Sequence, residues 1–132
     1  MKRVARCACN ATAITIDGEL VAHAVCHCDN CKKRTGSAFG ISAYFRKSDV
    51  AGIDGETVIY ALHNAKRNED KERHFCKRCG TTLYWYSSTY PEYIGIAGGC
   101  FTDEPLGEPK INASYSKRLA WVAVPEHWQL SE

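Results

Sequence analysis

Three cysteines lie within six positions of the segment AVCHCDNCKKRTGSAF, residues 24–39. Cys26, Cys28 and Cys31 form a C-x-C-x-x-C pattern that can supply three thiolates to one ion. Three protein ligands with an exchangeable fourth are typical of a catalytic zinc site, where water or substrate takes the open position. Because zinc accepts sulfur ligands, a substrate thiol could take that position. The segment therefore predicts a catalytic zinc site formed by these three cysteines.

The fourth ligand of this site could instead come from the chain, which would make the site closed and structural. The candidates are His23, His27, His74 and Cys100. The side chain of His27 would point away from the ion if the segment were extended, because successive side chains alternate in a strand. Cys100 is the stronger candidate, although it could equally be a buried free thiol.

A second cysteine pair, Cys76 and Cys79, lies in FCKRCG. A C-x-x-C-G turn is typical of a zinc knuckle, and Gly80 can adopt the positive φ that the chain reversal needs. The alternative is a redox dithiol, but here the segment TTLYWY follows rather than a helix. Cys7 and Cys9 would complete four thiolates, because residues i and i+2 of a strand point to the same side. Such a closed site is structural, and metal binding would contribute folding energy.

The elements that must position these cysteines are short segments rich in β-branched and aromatic residues, separated by turn residues. They are ATAITID, LVAHAV, FGISAYF, ETVIYAL, TTLYWYSS and EYIGIAGG. Only NAKRNEDKER, residues 64–73, indicates a helix or a loop, and AWVAVPEHW predicts a last strand or an irregular arm. With 132 residues, the chain has the size of one domain. We predict a mainly β single domain over residues 1–132.

The composition limits the classes of partner. No apolar run approaches the roughly 20 residues of a membrane span, and MKRVARCACN lacks the apolar region of a signal peptide. We therefore expect a cytoplasmic protein without a membrane partner, in which clustered cysteines serve more often as metal ligands than as disulfides. The net charge of +2 and the lone basic run KKR argue against a nucleic-acid partner.

The motifs together resemble those of the glutathione-dependent formaldehyde-activating enzyme family. The matching elements are CAC, CHCDNCKKRTGSAF, FCKRCGTTL, GIAGG and a late LAW, in order over nearly the whole chain. The resemblance implies a β-tent-like fold of small antiparallel sheets with two zinc sites, one structural and one catalytic. The implied ligands are Cys7, Cys9, Cys76 and Cys79 for the structural ion, and Cys26, Cys28 and Cys31 for the catalytic ion. It also implies carbon–sulfur lyase chemistry on S-hydroxymethylglutathione, which forms from glutathione and formaldehyde.

Glutathione carries two carboxylates, so a site for it should offer cations or N–H donors. Lys32 and Arg34 could contact a carboxylate, as a point charge and as a bidentate donor respectively. The turn at Ser37 could offer backbone N–H groups, and Phe39, with Tyr44 and Trp85, could wall the pocket. The alternatives are a solvated basic turn, a simple turn and core packing.

Other functions fit the same cysteines. The main alternative is a non-catalytic, zinc-stabilised protein-binding module in which both sites are structural. A zinc ribbon for nucleic acid and a redox sensor using Cys26, Cys28, Cys31 and Cys100 are further alternatives. Unpaired sheet edges are compatible with a homodimer as well as with a monomer.

Overall fold

A computed structural model describes residues 1–132. Eleven strands form the fold. They are β1 (Lys2–Arg6), β2 (Ala13–Asp17), β3 (Ala22–Cys26), β4 (Gly40–Arg46), β5 (Val50–Asp54), β6 (Thr57–Asn64), β7 (Glu69–Cys76), β8 (Thr82–Ser87), β9 (Tyr93–Ala97), β10 (Ile111–Ala113) and β11 (Gln129–Ser131). The α-helix α1 spans Asp29–Thr35, and 3-10 turns lie at Lys47–Asp49, Gly98–Cys100 and Tyr115–Lys117. No helix is long and apolar enough to cross a membrane.

The strands form two sheets. The smaller has the order β1-β2-β5, and the larger has the order β11-β10-β3-β4-β9-β8-β7-β6. Neighbouring strands pair antiparallel, except that β10 runs parallel to both β3 and β11. The predicted mainly β fold class is confirmed, with parallel pairing confined to the β11 end of the larger sheet.

The two sheets share one hydrophobic core. Ile14 and Ile16 from the smaller sheet pack in the same buried cluster as Phe45, Ile94 and Ile96 from the larger one. These side chains are fully buried. Burying them against each other stabilises the packing of one sheet on the other, since apolar burial contributes about 25 cal/mol per Å².

The larger sheet turns a second set of side chains away from this core. Residues directly opposite in a sheet point to the same side, and side chains alternate along each strand. Tyr44 and Trp85 both lie opposite Gly95, and Arg73 lies opposite Trp85. The same alternation places Ser42 and Cys26 on this side, through the pairing of β3 with β4. We call the side formed by Cys26, Ser42, Tyr44, Trp85 and Arg73 the site face.

The prediction of a helix or loop at residues 64–73 was wrong for most of the segment. Residues 65–68 form a turn, and Glu69–Cys76 is strand β7, which pairs with β6 on one side and β8 on the other. Backbone pairing to two neighbours stabilises this polar strand without an apolar stripe. Its first residue, Glu69, is buried and accepts a hydrogen bond from the hydroxyl of Ser87.

Helix α1 was not predicted, although its ends carry the usual signals. Cys28 is the N-cap, Asp29 lies in the first turn, and basic residues fill the last turn, where they complement the helix dipole. Gly36 ends the helix with φ of 63°. The helix spans only seven residues, and none is buried, so it leaves no apolar periodicity in the sequence. The tail is an irregular arm over residues 119–128 that leads into β11.

Candidate metal centre

Four cysteines from two distant segments come together, two from the turn after β1 and two from the end of β7 and the turn that follows it. The sulfur atoms of Cys7, Cys9, Cys76 and Cys79 all lie within 4.8 Å of one another. The Cys9 sulfur lies 3.7 Å from that of Cys7 and 3.8 Å from that of Cys76. Four thiols this close form the donor set of a closed zinc site.

Local backbone geometry aims these sulfurs. Cys7 and Cys9 lie in the turn after β1, where Asn10 has φ of 65°, so the expectation that they share one side of a strand was wrong. Cys76 ends β7, and Gly80 has φ of 80°, as the knuckle pattern predicted. Both pairs converge because each sits on a tight turn that reverses the chain.

Hydrogen bonds favour the charged form of two members of this first group, Cys7 and Cys79. The amide of Thr12 donates to the Cys7 sulfur at 3.2 Å. Although burial opposes ionisation, the hydrogen bonds from Thr12 lower the pKa of Cys7 to about 7. Hydrogen bonds from Thr81 lower the pKa of Cys79 to about 5. Although the backbone of Ala11 opposes the shift, burial and the hydrogen bonds with the other three thiols raise the pKa of Cys9 to about 11. Hydrogen bonding therefore favours the thiolate at Cys7 and Cys79 and opposes it at Cys9.

A second group forms at the junction of β3 and α1. The sulfur atoms of Cys26, Cys28 and Cys31 all lie within 4.8 Å of one another. Cys26 ends β3, Cys28 caps α1, and Cys31 lies in the first turn of the helix, where its amide donates to the Cys28 sulfur at 3.3 Å. Hydrogen bonds from the other two thiols hold the pKa of Cys28 well below its ordinary value. The pKa of Cys31 is raised, because sharing a site with two other thiols disfavours its ionisation.

No fourth histidine, cysteine or carboxylate atom of residues 1–132 joins this group. His27 is fully buried and its Nε2 lies 2.6 Å from the Asn112 side-chain oxygen. His74 stacks on Tyr84, and Cys100 packs against the hydrophobic core. The three thiols therefore converge without a fourth protein ligand.

Of the predicted substrate-contacting residues, the structure places Arg34 beside the thiols. A Cβ built on Gly40 would lie 2.5 Å from Arg34 Nη2 and 3.2 Å from Cys31 Cβ, so both groups border the same point. The Arg34 guanidinium stacks over Trp85, with Cζ 4.5 Å from the ring centroid. Arg34 thus brings a cation from α1 onto the site face.

The other three predicted substrate-contacting residues, Lys32, Ser37 and Phe39, make contacts elsewhere. Lys32 Nζ donates to the Lys117 carbonyl at 2.9 Å. Ser37 is exposed, and its amide donates to the Lys32 carbonyl at the end of α1. Phe39 packs edge-on against His27, with ring centroids 5.8 Å apart. The structure therefore does not group these three side chains with Arg34.

Arg73 and Asn30 also border the thiols and were missed in the sequence. Arg73 Nη2 donates to the side-chain oxygen of Asn30, which lies between Cys28 and Cys31, at 2.5 Å. Arg73 was missed because it lies in the segment interpreted as a helix or loop. An alternating pattern over β7, aligned with TTLYWY, could have placed it on the side of Trp85.

Tyr44 supplies a neutral hydroxyl on the site face. Burial raises the pKa of Tyr44, the Trp85 side chain opposes that rise, and the charges of Cys31 and Cys26 reinforce it. The hydroxyl therefore stays protonated at neutral pH and can donate a hydrogen bond.

We expect Gly95→Ala to disrupt the site face. A Cβ at position 95 would lie 2.1 Å from Trp85 Nε1, so the indole on which Arg34 stacks would have to move. We expect a loss of about 1–3 kcal/mol in unfolding free energy, from overpacking. Urea unfolding followed by Trp fluorescence measures it. Gly52→Ala is the matched control, because a Cβ there meets nothing within 4 Å; equal stability of the two variants would contradict the prediction.

Comparison with known proteins identifies the family. The model of the family described as "Glutathione-dependent formaldehyde-activating enzyme" matches residues 2–118. A Halomonas elongata protein named "Putative glutathione-dependent formaldehyde-activating enzyme" is 24% identical over 107 residues, which cover 79% of this chain and 68% of that protein. A crystal structure of a Rhodobacter sphaeroides protein superposes with a TM-score of 0.59 at 24% identity, covering 80% of this chain and 96% of the other. This chain belongs to the glutathione-dependent formaldehyde-activating enzyme family.

Proposed function

We propose that this protein is a zinc-dependent carbon–sulfur lyase that interconverts S-hydroxymethylglutathione with glutathione and formaldehyde. The observation that carries the proposal is the convergence of Cys26, Cys28 and Cys31 without a fourth protein ligand. A three-ligand site leaves one position for a substrate atom. The site faces Tyr44 and Arg34, which can contact the rest of a small polar substrate.

We propose that each thiol group binds one zinc ion, because zinc is commonly held in proteins by sites made only of cysteine thiolates. The group of Cys7, Cys9, Cys76 and Cys79 would be structural, since four sulfurs fill a tetrahedral shell. The three-thiol group would be catalytic. The whole chain, residues 1–132, would form one zinc-binding domain. We place it in the cytoplasm, because eight free cysteines are compatible with a reducing compartment.

The reaction needs one new bond and one proton transfer. The glutathione sulfur adds to the formaldehyde carbon, the C=O double bond becomes a C–O single bond, and the thiol proton ends on the new hydroxyl oxygen. The reverse reaction breaks the C–S bond and returns the proton to sulfur. Zinc held by the three thiols would supply a Lewis acid that keeps the substrate sulfur deprotonated. The protonated Tyr44 hydroxyl would donate a hydrogen bond to the aldehyde oxygen.

The activity can be measured as exchange at equilibrium. We expect zinc-loaded protein to accelerate exchange between ¹³C-formaldehyde and S-hydroxymethylglutathione in NMR exchange spectra, above the rate without protein. Native mass spectrometry of the same sample should show two zinc ions per chain and a glutathione adduct. Two zinc ions with neither an adduct nor faster exchange would contradict the proposal and favour the protein-binding module.

A further inference from the structure

Two arginines lie beside the three-thiol group, one from the helix and one from the sheet. Arg34 comes from α1 and stacks over Trp85. Arg73 comes from β7 and lies directly opposite Trp85 in the sheet. The Arg73 guanidinium lies over Tyr60, with Cζ 5.9 Å from that ring centroid. The two guanidinium groups are near enough for the charge of one to act on the other.

Neither guanidinium has an acidic partner. The ion pairs of residues 1–132 include neither Arg34 nor Arg73. Arg34 Nη2 is buried and makes no hydrogen bond. Burial lowers the pKa of Arg73 and the like charge of Arg34 lowers it further, while the charges of Cys31, Tyr60 and Cys28 oppose that shift only in part. Two part-buried like charges without an acidic partner cost free energy, and an anion between them would recover it.

A hydrogen bond ties Arg73 to the helix that carries two of the three thiols. Its hydrogen bond to Asn30 ties it to the residue between Cys28 and Cys31. A guanidinium has five N–H donors, and this bond uses one of them. The remaining donors can therefore form the paired contacts that guanidinium makes with a carboxylate.

We propose that Arg34 and Arg73 form a carboxylate-binding site beside the three-thiol group, which selects thiols that carry a carboxylate over neutral thiols. This inference rests on the proposed function for the identity of the bound thiol. The inference adds to the proposed function the two arginines that would recognise a carboxylate of the substrate, at a distance from the substrate sulfur. Arg73 is then a specificity residue that has no part in the bond-forming step.

A different role for the arginines is also chemically reasonable. Three thiolates around one divalent cation leave a net negative charge, and the arginines could simply balance that charge. In that case, removing Arg73 would weaken metal binding and leave discrimination between thiols unchanged. The two roles therefore predict different measurements.

The test uses S-methylglutathione, which keeps both carboxylates but has no free thiol. Calorimetric titration of the zinc-loaded full chain should show binding of S-methylglutathione. The dimethyl ester of the same compound should show an affinity lower by about tenfold or more, as expected for loss of a charge-assisted contact. We expect Arg73→Gln to weaken S-methylglutathione binding by about tenfold or more while keeping two zinc ions per chain, and Arg73→Lys to weaken it less. Arg67→Gln, in the exposed turn between β6 and β7, is the control and should bind as the wild type does.

Three results would overturn the inference. These are no binding of S-methylglutathione to the wild type, equal binding of the acid and its ester, and an Arg73→Gln variant that loses zinc but not ligand selectivity. The outcome is separable from that of the proposed function. Arg73-dependent binding in a protein without lyase activity would support the carboxylate site and contradict the lyase. Lyase activity with equal rates for 2-mercaptoethanol and glutathione, in both the wild type and Arg73→Gln, would support the lyase and contradict the carboxylate site.

Discussion

Replacing Cys28 with serine should remove the second zinc ion and the lyase activity while leaving the fold intact. Cys28 is both a member of the three-thiol group and the N-cap of α1, where its sulfur accepts the amide of Cys31. Serine is a favoured N-cap, so its hydroxyl can take over that hydrogen bond, but it is a poor zinc ligand. Replacing residues that only hydrogen-bond to metal ligands already lowers metal affinity or activity by about 10–100-fold. Because Cys28 is itself a proposed ligand, we expect the exchange rate to fall by about a hundredfold or more.

The alanine variant at the same position separates the two roles. Cys28→Ala removes the cap as well as the ligand, and should be less stable than Cys28→Ser by about 1 kcal/mol. Both variants should bind one zinc ion by native mass spectrometry. A Cys28→Ser protein that keeps two zinc ions, or that keeps its activity with one, would show that the three-thiol group is not the catalytic centre.

Replacing Cys76 with serine should unfold much of the protein. Cys76 is 1% exposed, ends β7, and lies with Cys7 and Cys9, which follow β1, so the four-thiol group links the smaller sheet to the larger one. Structural zinc sites contribute roughly 10–16 kcal/mol in isolated peptides, as much as the roughly 5–15 kcal/mol total stability of a domain. We expect loss of the cooperative thermal transition by circular dichroism and a drop in zinc content.

Cys100→Ala is the matched control, since it removes a part-buried thiol that belongs to neither group. It should keep two zinc ions and unfold cooperatively near the wild-type temperature. If Cys76→Ser unfolded as cooperatively as Cys100→Ala, the four-thiol group could not be a structural site.

The amino-acid sequence determined the local chemistry of both thiol groups. The C-x-C-x-x-C spacing brings three sulfurs together where β3 ends and α1 begins, and Gly80 has the positive φ that the C-x-x-C-G pattern predicted. Short β-branched segments between turn residues likewise predicted the mainly β fold, because side-chain alternation is a property of each strand by itself. The geometry within six or so neighbouring residues depends little on the rest of the chain.

The tertiary structure decided which residues surround those sulfurs. Arg73 lies on a polar strand without an apolar stripe, and only its pairing with β8 places it opposite Trp85. Helix α1 is too short for its periodicity to show, and Arg34 reaches Trp85 because the helix packs on the sheet. Which strands become neighbours depends on backbone pairing and burial between segments far apart in the chain, so the surroundings of the thiols could not be predicted from the spacing of the cysteines.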